Sequence, residues 1–118
     1  MKVLQCLPLA LLVLGGAMAS AAESSGADLY RMYCVQCHGT QGDGRGVNAR
    51  SMDVLPRSHI DPVEMGARQD ADLTKVIREG GKSINKSVLM PAWGTNLSAE
   101  QIETLVRYLR TLCCEKKP

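Results

Sequence analysis

Five consecutive residues, Cys34-Val35-Gln36-Cys37-His38, bring together the side chains with the most distinctive chemistry in the chain. Two thiols three positions apart share one turn of a helix, and each can add to one vinyl group of a porphyrin. The imidazole that follows can bind the iron from the proximal side, since neutral histidine is a good ligand for iron. The spacing therefore predicts covalent haem attachment through Cys34 and Cys37, with His38 as an axial ligand.

Two other uses of a Cys-x-x-Cys pair fit the sequence less well. A redox dithiol of the thioredoxin kind requires a preceding buried strand, whereas residues 29–33 read Leu-Tyr-Arg-Met-Tyr without a β pattern. A structural zinc site requires four ligands, and no second Cys-x-x-Cys or His-x-His pair follows. The main alternative is chance occurrence of the pentapeptide, and the export signal at the N-terminus argues against it.

The first 22 residues are typical of a secretory signal peptide. Lys2 gives a positive start, residues 7–16 form an apolar stretch, and small residues near 19–22 offer a cleavage site. The stretch is shorter than the about 20 residues that span a bilayer, so an uncleaved anchor is the less favoured alternative. We therefore expect a signal peptide over 1–22, one domain over 23–112 and a tail over 113–118. The mature protein is expected to be soluble and periplasmic, without stable membrane insertion.

The composition of the mature chain limits its fold and its partners. Residues 23–118 make one small domain, of a size at which a bound cofactor contributes strongly to the core. The chain contains no phenylalanine, one tryptophan and three tyrosines, so a buried macrocycle would supply much of the missing apolar surface. The net charge of the whole sequence is only +2, which argues against a nucleic-acid partner of the usual strongly basic kind.

Hydrophobic spacing predicts three helices separated by long loops. Apolar residues at three- and four-residue steps predict helices over 27–37 and 70–79. A last helix is predicted from a capping box at Ser98 to Leu112. Four glycines predict a loop over 39–48, and two prolines predict that 49–65 is irregular. No segment alternates as a strand does, so the predicted fold class is all-α.

The ligand at the second axial position of such a haem decides its use. An open position permits binding of oxygen, nitric oxide or peroxide, whereas methionine closes it and raises the reduction potential, which suits electron transfer. Met90 is the favoured ligand, because it lies in a loop between two predicted helices and Pro91 stiffens the backbone after it. Met52, Met65 and His59 are the alternatives. The expected role of His59 is that of a free surface side chain.

The chain resembles the class I, monohaem cytochromes c of bacteria over about residues 26–112. The resemblance rests on the Cys-x-x-Cys-His motif, the glycine-rich loop after it, a Met-Pro-Ala-Trp-Gly element at 90–94 and the closing helix. It implies a small fold of three main helices whose long loops surround one covalent haem c. It also implies that the haem iron is bound by His38 and Met90.

Two packing contacts follow from the same resemblance. The first and last helices would cross closely, with Gly26 and Tyr30 packed against residues 105–108. A proline carbonyl would accept a hydrogen bond from the second ring nitrogen of the proximal histidine, which here assigns Pro56 to His38. Such a bond would fix the orientation of the ring and raise its basicity.

The adjacent cysteines Cys113 and Cys114 are absent from the family pattern. A disulfide between neighbouring residues closes a strained ring. Inert thiols, or a covalent dimer through Cys113 or Cys114, are therefore favoured over an internal bond.

These features together predict a periplasmic one-electron carrier rather than an enzyme. Its partners would be redox proteins, and four basic residues between positions 75 and 86 would face an acidic partner or simply water. One alternative is a haem subunit bound tightly in a larger oxidoreductase complex. The other is an open-site haem protein that binds gases or acts as a peroxidase.

Overall fold

A computed structural model describes residues 23–114 and forms five α-helices in them. They are α1 (Gly26–Tyr33), α2 (Val35–His38), α3 (Pro62–Gly66), α4 (Asp70–Glu79) and α5 (Ala99–Cys113), with 3-10 turns at Val47–Ser51 and Gly81–Ile84. These residues contain no strand, so the predicted all-α class is confirmed. No helix in the described range is long and apolar enough to cross a membrane. The predicted signal peptide lies outside the described residues.

The two later helices form where the sequence predicts them. α4 covers the predicted residues 70–79, and α5 extends one residue beyond the predicted end. The Ser98 hydroxyl accepts a hydrogen bond from the Gln101 backbone N–H at 3.2 Å, and the Gln101 side chain accepts one from the Ser98 N–H at 2.9 Å. This reciprocal pair satisfies two N–H groups at the start of α5 and confirms the predicted capping box.

Two segments differ from the predicted helix pattern. The predicted first helix is divided, because the backbone leaves regular helical geometry at Cys34 (φ −116°) before α2 begins. The segment predicted to be irregular contains α3, and Pro62 begins this helix instead of preventing it. Proline suits the first helical position, where no N–H donor is needed. The Asp61 carboxylate accepts the next two backbone N–H groups at 2.9 and 3.0 Å.

The core lies where α1 crosses α5, with α4 packed beside them. A Cβ atom added to Gly26 would lie 2.6 Å from the Tyr108 Cβ and 2.8 Å from the Thr104 carbonyl oxygen, so only glycine permits this approach. The rings of Tyr30 and Tyr108 pack with centroids 5.4 Å apart. These contacts confirm the close helix crossing that the family resemblance implies.

We expect Gly26→Ala to destabilise the protein by separating α1 from α5. Overpacking of this kind costs about 1–3 kcal/mol, and each kcal/mol lowers the melting temperature of a small domain by about 4–8 °C. The matched control is Gly66→Ala, because an added Cβ at this helical glycine meets nothing within 4 Å. Thermal unfolding followed by circular dichroism checks the prediction. Equal melting temperatures for Gly26→Ala and the unmodified protein would contradict it.

A single arginine on α5 holds the corner between α3 and α4. Arg110 donates to the carbonyl oxygens of Met65 and Arg68 at 2.7 and 2.6 Å and to the Asp70 carboxylate at 2.8 Å. Its guanidinium therefore satisfies the Met65 carbonyl in α3, the Arg68 carbonyl just after α3 and an acidic group at the start of α4. This contact fixes the corner that carries Arg68 relative to the core.

The two cysteines at the end of α5 are joined to each other by a disulfide. Cys113 is the last residue of α5, and Cys114 leaves the helical conformation (φ −124°, ψ −14°). The two side chains therefore need not diverge as neighbours within a helix do. The favoured expectation of inert thiols or a crosslink between chains is wrong for this structure, because both sulfurs are bonded within one chain.

Candidate functional site

The Cys-x-x-Cys-His segment is held by the glycine-rich loop that follows it. The backbone N–H of Gly44 donates to the His38 carbonyl at 2.8 Å, and that of Gly46 donates to the Cys37 carbonyl at 3.0 Å. These bonds satisfy carbonyl groups at the end of α2 that a short helix leaves unpaired. The loop thereby fixes the direction of the segment from which the cysteine and histidine side chains project.

His38 is held in a state suited to metal binding. Its Nδ1 donates a hydrogen bond to the Arg57 carbonyl at 2.9 Å, which leaves Nε2 as the nitrogen with a free lone pair. Burial lowers the pKa of His38 below its usual range, so the ring is neutral near pH 7. The predicted acceptor, the Pro56 carbonyl, is wrong by one residue, because the carbonyl of Arg57 accepts this hydrogen bond.

The thiols of Cys34 and Cys37 are free of a disulfide. Burial raises the pKa of Cys34 to about 12, and the neighbouring Cys37 adds to the effect. A redox dithiol or a zinc ligand acts as a thiolate and depends on a lowered pKa. The environment of Cys34 therefore argues against both of those uses. Within residues 23–114, no three His, Cys, Asp or Glu side chains lie together as a metal site would require.

Met90 is held by the backbone at the end of α4. The N–H of Gly81 donates to the Met90 carbonyl at 3.0 Å. Gly80 adopts φ +81°, and a Cβ there would lie 2.9 Å from the same carbonyl and 3.0 Å from the backbone nitrogen of Ala92. Only glycine combines this positive φ with so close an approach. The position of the Met90 backbone is therefore set by the glycine pair that ends α4.

The four predicted site residues surround one cavity of about 1010 Å³. Cys34, Cys37, His38 and Met90 all line it, and most other side chains around it are apolar, among them Leu55, Val76, Ile84 and Leu89. Its volume lies at the upper end of the roughly 300–1,000 Å³ typical of cofactor clefts. Two free thiols, a neutral imidazole and a thioether in an apolar cleft form the donor set that suits a covalently attached haem.

The other methionines differ in their access to this cavity. Met52 lines it, as does Met32, which the sequence places next to the attachment motif. Met65 is fully buried in the helical core with 0% exposure and does not line the cavity. Met65 therefore acts as a core residue, and Met52 is the alternative thioether to be tested against Met90.

The position of His59 differs from the one that the sequence predicts. Instead of lying free at the surface, it is only 9% exposed, and its ring stacks on that of His38 with centroids 4.2 Å apart and planes 19° apart. A ring stacked face to face on that of His38 could not also reach, from the opposite side, an iron bound by His38. His59 is therefore unsuited to be the sixth ligand or a distal base. Burial, with the charges of His38 and Arg57, lowers its pKa to about 3.

A charged cluster lies at the wall of the cavity, and the sequence alone does not indicate Glu64 and Arg68 as members of it. The guanidinium of Arg57 pairs with the Glu64 carboxylate, and Arg68 approaches the same carboxylate at 3.8 Å. All three residues line the cavity. Two cations around one anion leave a net positive charge that suits the carboxylates of a haem. The i, i+4 spacing of Glu64 and Arg68 indicates an ion pair only if the segment is a helix. The sequence did not predict α3, so the pair was not recognised.

The sequence matches a protein-family model described as "Cytochrome C oxidase, cbb3-type, subunit III" over residues 21–109. The subunit FixP of a cbb3-type cytochrome c oxidase from Azorhizobium caulinodans is 28% identical over 91 residues, which cover 77% of this chain and 27% of that protein. The cytochrome c subunit of a quinone-dependent alcohol dehydrogenase from Gluconacetobacter polyoxogenes is 33% identical over 107 residues, which cover 86% of this chain and 21% of that subunit. The chain thus spans about a quarter of the length of the FixP subunit and about a fifth of that of the dehydrogenase subunit.

The fold is also similar to a solved structure. The c-type cytochrome KustC0563 superimposes with a TM-score of 0.61 at 23% sequence identity. The superposition covers 76% of this chain and 99% of that one. At this level of identity the likeness concerns the fold, and it agrees with the helical arrangement described above.

Proposed function

Since this chain belongs to the family of cytochrome c domains described as cytochrome c oxidase, cbb3-type, subunit III, we propose that it is an exported one-electron carrier with one haem bound through Cys34 and Cys37. The domains of this family hold haem c and its iron covalently and carry electrons. We further propose that His38 and Met90 bind the iron. The observation that carries the proposal is that these four residues line one apolar cavity.

The chain's own residues would keep the site rigid during electron transfer. Bound haem supplies one-electron chemistry by alternating between Fe(III) and Fe(II). The Arg57 carbonyl orients His38 through its Nδ1–H, and the Gly81 N–H holds the Met90 backbone. The ring of His38 and the backbone of Met90 are thus each held by a hydrogen bond. Neither has to be reordered when the charge of the site changes. Such preorganisation suits a carrier that transforms no substrate.

The basic residues near Met90 would guide partner proteins to the site. Lys75, Arg78, Lys82 and Lys86 are exposed, and none forms an ion pair within the described residues. Lys86 also lines the cavity, so the positive surface reaches its wall. Exposed charges of one sign accelerate encounters with an oppositely charged partner and are screened by salt. We expect association with an acidic redox protein to slow as ionic strength rises.

A spectroelectrochemical titration of the purified holoprotein tests the proposed function. We expect one reversible transition with the slope of a one-electron couple, because the chain carries a single attachment motif. We also expect the reduced protein to bind carbon monoxide slowly or not at all, because Met90 would already occupy the binding position on the iron. Rapid carbon monoxide binding by the unmodified reduced protein would contradict the carrier and support an open-site haem protein.

A second candidate function is that of a haem subunit or domain within a larger oxidoreductase. It is favoured by the relatives, which are named as subunits of an oxidase and of an alcohol dehydrogenase. Native extracts of the source cells separate the two functions by size. Elution of the haem protein as a small, single species supports a diffusing carrier, whereas stable elution with a high-mass complex supports the subunit.

A further inference from the structure

The ring of His59 is fixed from several directions beside the proximal histidine. One face stacks on His38 at 4.2 Å, and the Tyr30 hydroxyl lies 3.0 Å from Nδ1 at the ring edge. The backbone N–H of His59 donates to the Gly42 carbonyl at 2.6 Å, which anchors the residue to the glycine-rich loop. Tyr30 is itself 2% exposed and belongs to the core. The ring is therefore attached to the hydrophobic core through Tyr30 and to the glycine-rich loop through its backbone.

The donor in the hydrogen bond between Tyr30 and His59 follows from the other partners that each group has. Within residues 23–114, His59 Nδ1 is the one hydrogen-bond partner of the Tyr30 hydroxyl. A buried phenol that accepted from Nδ1 would leave its own proton without an acceptor, which is costly. Tyr30 therefore donates to Nδ1, and the neutral ring carries its proton on Nε2. The hydrogen bond thus selects one tautomer as well as one orientation.

We propose that Tyr30 and His59 form a positioning pair for the proximal ligand, in which the stacked, hydrogen-bonded ring of His59 fixes the rotation of the His38 imidazole. The inference rests on the proposed role of His38 as the proximal ligand. The Arg57 carbonyl holds one edge of the His38 ring, and an edge contact alone leaves the ring free to rock about that bond. A flat ring packed on its face removes this freedom.

The pair also places a polar ring beside the proposed ligand, in a space that an apolar side chain could fill instead. Groups that contact a metal ligand, and not the metal itself, orient and polarise that ligand and so tune the reduction potential of the site. A polar surrounding stabilises the more positive, oxidised state relative to an apolar one. Loss of the His59 nitrogens should therefore raise the reduction potential, and a changed ring orientation should change the spectrum of the oxidised haem.

Two substitutions separate this role from simple space filling. His59→Phe keeps a flat aromatic ring beside His38 but removes both nitrogens. Tyr30→Phe removes only the hydroxyl and keeps the ring that packs on Tyr108. The matched control is Tyr108→Phe, which removes a hydroxyl from the same aromatic contact and from a side chain that does not line the cavity. All three are compared with the unmodified holoprotein.

The measurements are the reduction potential and the electron paramagnetic resonance spectrum of the oxidised holoprotein. We expect His59→Phe to change the one-electron equilibrium at least about threefold towards the reduced state, which is about 28 mV at 59 mV per tenfold change. Tyr30→Phe should shift it in the same direction by less, and both should alter the g-values. Tyr108→Phe should change neither measurement.

The outcomes separate this inference from the proposed function. If the unmodified protein lacks a low-spin, six-coordinate ferric spectrum, the proposed ligation fails, and the inference fails with it. If the unmodified protein shows that spectrum but both test variants match Tyr108→Phe, the ligation stands and His59 is a filler. Should His59→Phe fail to retain haem, Tyr30→Phe decides alone, because it leaves every ring in place.

Discussion

Replacing Cys34 and Cys37 together by serine is expected to abolish covalent haem retention. The thioether bonds require both sulfurs, and a hydroxyl cannot form them. The cavity of about 1010 Å³ would then hold haem only through weaker contacts, or collapse. Because the core around it is small, we also expect much of the helical structure to be lost. Haem staining after denaturing electrophoresis gives the first result, and circular dichroism gives the second.

The chain offers a matched control for this double substitution. Cys113→Ser with Cys114→Ser also removes two sulfurs, but these are bonded to each other at the end of α5 and do not line the cavity. This variant should stain for haem as strongly as the unmodified protein. Covalent haem in the Cys34/Cys37 double variant would show that attachment takes place elsewhere and would overturn the assignment.

The second large effect is expected for Met90→Ala. Loss of a thioether ligand should abolish the weak far-red absorption band by which methionine-ligated ferric haem is recognised. The reduction potential should fall by a sizeable part of the roughly 0.8 V over which axial ligands set haem potentials. The vacated position should also admit carbon monoxide in the reduced state. Absorption spectroscopy and a redox titration of the purified variant measure these changes.

Met52→Ala is the control for this experiment, because Met52 lines the same cavity and loses the same group. It should keep the far-red band and a potential close to that of the unmodified protein. If the band survives in Met90→Ala and disappears in Met52→Ala, the ligand is Met52. If neither substitution affects the band, no methionine of this pair binds the iron.

The parts of the structure that were predictable depend on contacts between residues near each other in sequence. The bounds of α4 follow from its apolar spacing, and the start of α5 follows from the Ser98–Gln101 pair. The attachment motif is likewise a local pattern of five residues. The prediction of Met90 as a ligand rests on its loop and on Pro91. Met90 lines the cavity, and its binding to iron stays a prediction.

The parts that were missed depend on contacts between distant residues. The sequence does not indicate that His59 packs on His38, because 21 positions separate them and only the folded glycine-rich loop brings them together. The backbone conformation of the loop decides whether the carbonyl of Arg57 or that of Pro56 accepts the hydrogen bond from His38. The residue types alone do not indicate this conformation. α3 was missed because its proline was interpreted as a helix breaker, although it begins the helix.

The crossing of α1 and α5 has a consequence for the order in which the protein is assembled. Gly26 and Tyr108 lie 82 positions apart in the sequence, and closing a flexible loop of that length costs about 4 kcal/mol in chain entropy. Because synthesis starts at the N-terminus, the segment with Cys34 and Cys37 is made well before α5. α1 therefore lacks its partner helix until the end of synthesis, and the last helix made completes the scaffold.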